Sequence, residues 1–295
     1  MPYLVCLYVW IDIRSPGCEV NLTQICHYLL TYSKYLLNCS RDAIPPTKNW
    51  TEVNIPPPPY GRSVGSVVTQ LKEEFINGTE KLIAKAKLIR VQEYAVDVSL
   101  DPDTANAHLI LSDNGKQVCC GDVEQNLPDN PERFNPAVNV LGKQSCSSGR
   151  FYYEVQVKGK TSWDLGIAKE SVSRKGGNIT LSPENGFWTM DLSDGDEYIA
   201  IDELVAHLSL KSNPERVGVF VDYEEGLISF YDVEAADHLY TFTGCSFTEK
   251  LYPFFSPCTN DKGRNSAPLI ICPEIWRKCP DMISVPVLCR TKCRV

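Results

Sequence analysis

The stretch RVGVFVDYEEGLISFYDV (residues 216–233) decides the fold. Two runs of alternating residues flank Tyr223-Glu224-Glu225-Gly226, the pattern of a β-hairpin. Val217, Val219 and Val221 share one face by the two-residue strand period. Opposite them stand either Leu227, Ser229 and Tyr231 or Ile228 and Phe230, depending on register. A hairpin that buries one face needs a second sheet to bury it against. The stretch therefore predicts an all-β domain in which exposed loops, rather than a catalytic cleft, carry the function.

Outward from the hairpin, short strands recur from Val96 onward with turns every eight to twelve residues or so, the rhythm of a sandwich. His108 to Ser112 and Lys116 to Cys120 flank Asp113-Asn114-Gly115, whose Asn-Gly tolerates the positive φ of a tight turn. FYYEVQV (151–157) puts Phe151, Tyr153, Val155 and Val157 on one face. Trp163 to Ala168, Phe187 to Leu192, Glu197 to Ile201, Leu239 to Thr243 and Leu251 to Phe255 complete enough strands for two packed antiparallel sheets. Before them, Val64, Val68, Leu71, Phe75, Leu82, Ala86 and Ile89 follow helical spacing over 63–93, interrupted at Asn77-Gly78. This is either the end of a coiled coil, joining two copies of the chain, or one amphipathic helix folded on its own domain. Pro45-Pro46 and Pro56 to Pro59 mark 45–62 as a stiff linker. Residues 1–44 show no clean period and stay unassigned; 274–295 read as an irregular tail.

The 295 residues carry a net charge of −8 and a pI near 5.1, which excludes nucleic acid and anionic membrane as partners, since phosphate binding needs clustered Lys and Arg. From Asp191 to Asp237, 13 acidic residues face two basic ones, a balance of −11 that leaves +3 for the rest. The run is either a solvated face or an acidic rim around a surface that binds a basic partner. The 13 cysteines include no C-x-x-C pair, so no zinc site is expected, and structural thiols in a reducing cytoplasmic compartment are the default. The apolar Tyr3 to Ile13 lacks a basic leader and meets Asp12 too early for a signal peptide or a span. In a cytoplasmic chain the sequons at Asn21, Asn38, Asn49, Asn77 and Asn178 carry no meaning. Gly159-Lys160-Thr161 fails as a phosphate loop because Glu154 stands where its first glycine belongs. His27, His108, His207 and His238 are isolated, and no cofactor or reaction centre is expected.

Nine blocks in order carry a resemblance. VDVSLDPDT (96–104), LILSDNGKQV (109–118) and PERF (131–134) resemble the PRY part of a PRY–SPRY domain. VLGKQSCSSGRFYYEVQV (140–157), WDLGIAKESVSRKG (163–176), GFWTM (186–190), VGVFVDYEEGLISFYDV (217–233), LYPFFSP (251–257) and APLIICP (267–273) resemble the SPRY part. Such domains end many tripartite-motif proteins, butyrophilins and fish immune receptors. The resemblance implies a two-sheet, concanavalin-like antiparallel jelly roll over 94–273. Within it Trp163, Trp188, Phe220 and Phe230 are expected as core aromatics, and Gly166 and Gly218 as points of close approach. Cys146, Phe151 and Tyr153 depart from the family's usual Phe, His and Trp but stay apolar or aromatic.

The resemblance also implies which loops bind a partner: 121–135, 160–164, 191–197 and 258–265. The candidate contact residues are Asp164, Asp191, Ser193, Asp194, Asp196, Thr259 and Asn260. Some relatives place tryptophans after FWT and an aromatic after FFSP, where this chain has Asp191, Ser193 and Thr259, so their ligand does not transfer. The implied function is a protein-interaction module in innate immune signalling that binds a protein, a basic one on the charge argument. The alternative is the substrate-recognition part of a tripartite-motif ubiquitin ligase. A RING is not encoded in these residues, so no enzymatic activity is expected of them alone.

Overall fold

The computed structural model describes residues 60–273 apart from 178, 179 and 203. Expectations for 1–44, for 45–59 of the linker and for the 274–295 tail lie outside them. Helix α1 (Tyr60–Gln92) leads into thirteen strands among the described residues. They are β1 (Leu109–Leu111), β2 (Gln117–Cys120), β3 (Val140–Leu141), β4 (Arg150–Gln156), β5 (Trp163–Lys169), β6 (Phe187–Ser193), β7 (Glu197–Ile201), β8 (Val205–Leu208), β9 (Arg216–Asp222), β10 (Leu227–Asp232), β11 (Asp237–Phe242), β12 (Leu251–Ser256) and β13 (Leu269–Ile271). They form a seven-stranded sheet in the order β1-β2-β13-β4-β9-β10-β11 and a six-stranded sheet in the order β3-β12-β5-β6-β7-β8. Neighbouring strands pair antiparallel throughout, giving the expected two-sheet sandwich.

The β9–β10 hairpin closes at Asp222 opposite Leu227, which sets Val221 against Ile228 and Val219 against Phe230. Ile228 and Phe230 therefore join Val217, Val219 and Val221 in the inter-sheet core, all fully buried. Gly226 takes a positive φ of 62° to close the turn, and Asp222 Oδ1 accepts the Glu225 N–H at 3.1 Å. Across the core lie Trp163, Leu165 and Ile167 of β5 and Trp188, Met190 and Leu192 of β6. Tyr153 donates its hydroxyl to the Gly166 carbonyl at 2.6 Å, so this polar tip is satisfied inside the core.

The outer face of the seven-stranded sheet is buried too, beneath the C-terminal end of α1. Leu88 packs there with Tyr152 and Phe220, and Val91, Tyr94 and Tyr231 close around them. Phe220 is thus buried in this outer cluster and not between the sheets, because it alternates with Val219 and Val221. Beneath the helix end, the buried Glu154 accepts hydrogen bonds from Gln92 Nε2 at 2.9 Å and the Tyr152 hydroxyl at 3.0 Å. Arg216 pairs with its other oxygen at 3.2 Å. A buried carboxylate is tolerated because it is hydrogen-bonded and paired.

Helix α1 runs without a break through Asn77-Gly78, both exposed, where a glycine costs only about 1 kcal/mol. The face that docks on the sheet carries Leu88 and Val91, with Ile83 and Ala84 one turn earlier half-buried. Phe75, Leu82 and Ile89 of the expected seam are 54%, 69% and 52% exposed. The helix therefore has two apolar stripes, of which the domain covers one.

Gly218 has a steric reason: a Cβ there would lie 2.1 Å from Tyr152 Oη. Gly218→Ala should lower stability by about 1–3 kcal/mol, the usual cost of overpacking. In a domain of this size the thermal midpoint should fall by about 2–4 °C for each kcal/mol. Adding Tyr152→Phe should recover part of that loss, and an unchanged midpoint for the single variant would contradict the packing.

Candidate binding face

Strand pairing builds a polar row on the outer face of the six-stranded sheet. Ser256 of β12 lies opposite Asp164 of β5, Asp164 opposite Asp191 of β6, and Asp191 opposite Ile199 of β7. Two positions along these strands Gly166, Thr189 and Phe254 face the same way, and four along the surface is apolar. Ala168, Phe187 and Phe254 pack with Phe134, Leu141 and Val172 of the preceding segments. One end of this outer face is therefore covered by apolar chain, and the other carries two adjacent carboxylates.

Four segments meet at the carboxylate end. The Asn265 side chain, 2% exposed, joins two of them. Its Oδ1 accepts the backbone N–H groups of Thr161 at 3.0 Å and Ser162 at 3.2 Å. Its Nδ2 reaches the carbonyls of Pro257 at 2.9 Å, Ser162 at 3.0 Å and Thr259 at 3.1 Å. Lys160, also buried, donates Nζ to the carbonyls of Asn265 at 3.3 Å and Ala267 at 3.1 Å. In the β6–β7 turn, Asp194 and Gly195 take positive φ, and Gly195 N donates to Thr161 O at 2.7 Å. Asn260 Nδ2 donates to Asp122 Oδ1 at 2.9 Å, bringing in the loop after β2. All four loops expected to bind, 121–135, 160–164, 191–197 and 258–265, are thus linked by hydrogen bonds.

Within that frame Asp191 is buried, at 8% exposure, while Ser193, Asp194, Asp196 and Thr259 reach solvent. Asp164 is partly buried and accepts a weak hydrogen bond from Cys258 Sγ at 3.7 Å. Burial pushes both carboxyls above the ordinary Asp range; for Asp191 the charge of Asp164 adds to it, opposed only in part by the Thr189 hydroxyl. Burial likewise lowers Lys160 to about 8 and raises the Cys258 thiol strongly. Among the described residues, the buried Trp163 Nε1 of β5 and Asn260 Oδ1 of the loop after β12 lack a hydrogen-bond partner. Lys160, Thr189, Cys258 and Asn265 are the residues of this site that the sequence reading did not single out by role.

The acidic run from Asp191 to Asp237 does not form one face. It spans β6 to β11 and so divides between the two sheets. Asp222 pairs with Arg150 at 2.5 Å, Glu234 with Arg216 at 2.9 Å, Glu215 with Lys158 at 2.9 Å and Asp237 with Lys211 at 3.4 Å. Elsewhere a cleft of about 450 Å³ is lined by Asp101, Glu132, Glu170, Arg174 and Tyr252, among others. Its groups are tied to one another: Arg174 donates to the carbonyls of Glu132 and Glu170, and Tyr252 donates to Glu170.

Because the native chain holds a proton on Asp191 more tightly than the unfolded chain does, this group favours folding fully below about pH 4. The advantage disappears as the pH rises through its elevated native value. Asp191→Asn should therefore melt higher than the parent at pH 8, by about 1–3 kcal/mol of relieved burial. The gap should close towards pH 4. Melting curves at pH 4, 6 and 8 provide the check, and a variant less stable than the parent at pH 8 would refute the assignment.

The SPRY domain model matches residues 150–270, and the SPRY-associated domain model, PRY, matches residues 98–146. Human Pyrin is 48% identical over 205 residues, covering 70% of this chain and 26% of its own length. The human E3 ubiquitin-protein ligase TRIM68 is 49% identical over 183 residues, covering 62% of this chain and 38% of its own. The chain thus spans about a quarter to two fifths of the curated relatives it matches. In fold it is similar to the crystal structure of the TRIM65 PSpry domain, with a TM-score of 0.54 at 23% identity over 62% of this chain and 93% of that one. Two adjacent matching models, these relatives and the sandwich topology lead to one assignment: the chain belongs to the PRY–SPRY family.

Proposed function

We propose that this chain recognises a basic protein partner through the linked loops at the carboxylate end of its six-stranded sheet. The observation that carries the reading is the hydrogen-bonded union of four loops, from both the PRY and SPRY parts, around Asn265 and Lys160. A face fixed in this way loses little conformational entropy on binding, and that favours recognition. Asp164, Asp191, Ser193, Asp194, Asp196, Thr259 and Asn260 are its proposed contacts. Four members of the acidic run pair with cations elsewhere, and the charge proposed to steer a partner is that of Asp194 and Asp196 beside Asp164 and Asp191.

The matched relatives include an E3 ubiquitin-protein ligase, which favours a second layer to the same reading. The chain would supply the substrate-recognition part of a tripartite-motif ligase, with ligating activity coming from another polypeptide. Innate immune signalling in the cytoplasm is the setting we propose for it, as the sequence resemblance implies. The uncovered stripe of α1 is proposed to meet a second copy of the chain, placing two loop faces in one particle.

Capture of binding proteins from lysate, followed by affinity measurement with the purified partner, tests the face. Asp194→Lys with Asp196→Lys should weaken binding about tenfold or more and flatten its salt dependence. Indifference to both changes would sink the acidic-face reading. Sedimentation equilibrium tests the helix: the parent should be dimeric, and Leu82→Glu with Ile89→Glu monomeric. A monomeric parent would dismiss the dimer.

A further inference from the structure

We propose that the free edge of β11, roofed by α1, takes an extended basic segment of a partner protein as an eighth strand of the seven-stranded sheet. The site lies on the other sheet from the loop face and does not depend on it.

The strands at the ends of the two sheets are β1, β3, β8 and β11. An exposed edge offers unpaired N–H and C=O groups to another chain, and natural sheets keep such edges very short. The first three conform, at three, two and four residues. Strand β11 spans six, Asp237–Phe242, with no proline, lysine or arginine among them. Its pairing with β10 shifts register between Phe230 and Tyr231 and is regular from Tyr240 to Phe242. Among the described residues, no backbone-to-backbone hydrogen bond reaches β11 from its other side.

The second observation is the helix above that edge. Gln92 bonds Glu154 of β4, and Leu88 packs on Tyr152 of β4 and Phe220 of β9. Further back, Glu80, Ile83, Ala84 and Lys87 enclose a groove of about 260 Å³ with Tyr231 of β10 and His238 of β11. Helix α1 thus crosses β4, β9, β10 and β11 in turn, and it continues past the last of them, because residues 72–78 are all exposed. The stretch 72–79 extends it by about 12 Å, the width of two more strands at about 4.8 Å each. A strand added to β11 would therefore have one face beneath a cover already in place.

Edge and roof together decide what fits. Only extended backbone can continue a ladder, so the occupant is a strand and not a helix. The docked row of α1 through Leu88 and Ala84 continues at the 3–4 spacing through Glu80, Asn77 and Glu73, so beyond β11 the roof presents carboxylates. Glu73 and Glu80 are exposed, and among the described residues neither forms an ion pair. Lys87 lies about two turns nearer β4. Lys or Arg at alternate positions of the incoming strand would face the two glutamates, whereas an acidic segment would be repelled.

A capped, fluorescent heptapeptide alternating threonine or valine with lysine, titrated onto the full chain with hydrogen exchange read in parallel, tests this. It should bind saturably below about 1 mM and slow exchange of the 237–242 amides severalfold. Glu73→Lys with Glu80→Lys, both on exposed helix, should weaken binding about tenfold. The peptide with glutamate for lysine, or with every backbone nitrogen methylated, should not bind. Asp194→Lys with Asp196→Lys should change nothing, which separates this edge from the loop face. Absence of saturable binding, indifference to the helix substitutions, or protection elsewhere but not at 237–242 would overturn the inference and leave the loop reading standing. So would equal binding of either control peptide, or loss of binding in the Asp194 and Asp196 variant. Protection of 237–242 that rises with protein concentration alone would also overturn it, by making a second copy the occupant.

Discussion

Side chains alternate across a strand, and in this molecule that rule decides where chemistry can sit. The seven-stranded sheet is buried on both faces around β4 and β9, by the opposite sheet and by α1, so those strands carry apolar residues at consecutive positions. The six-stranded sheet has its inner face in the core, but only part of its outer face is covered by the Phe134, Leu141 and Phe254 cluster. Trp163, Leu165 and Ile167 must face inward, and Asp164 between them must therefore face out. The same holds for Asp191 between Met190 and Leu192. Core packing of β5 and β6 thus fixes the two carboxylates side by side, without any contribution from the loops.

The loops then determine how far those carboxylates are removed from water. Asn265, Lys160 and Gly195 join segments far apart in sequence through backbone groups, which are present whatever the side chains of the loop happen to be. Loop composition can vary on such a frame while its position stays fixed. Gly166 belongs to the same frame: a Cβ there would lie 2.0 Å from the Trp188 carbonyl, so β5 and β6 approach too closely for any larger residue in the row beside the carboxylates.

Much of this was legible in the amino-acid sequence, and the misses have physical causes. The hairpin 216–233 was clear from its period, yet its register was open because both candidate sets contain apolar residues, one for each buried face. Helical spacing located α1 but favoured the stripe through Phe75, Leu82 and Ile89, whereas docking uses Leu88 and Val91. Periodicity reveals that stripes exist and not which one a sheet will cover. Strands β3 and β8 span two and four residues, too few for a period to register. A count of charges along the chain left open a solvated face or an acidic rim, and consecutive strands β6 to β11 cross from one sheet to the other and disperse the run. The union of loops through Asn265 was invisible, since it depends on hydrogen bonds between residues 103 and 104 positions apart.

On the proposed reading, Asp191 also changes the kind of energy this face can use. An aromatic anchor gains affinity from the area it buries and discriminates modestly among partners of similar shape. Paired buried carboxylates add little net affinity, because desolvating two charges offsets most of their attraction to a third. What they gain is selectivity, since a partner that arrives without a cation leaves the pair buried and unmatched, at a cost of several kcal/mol if both are ionised. A carboxylate rather than a large ring at 191 would therefore make this a surface that rejects the wrong charge instead of one that rewards shape.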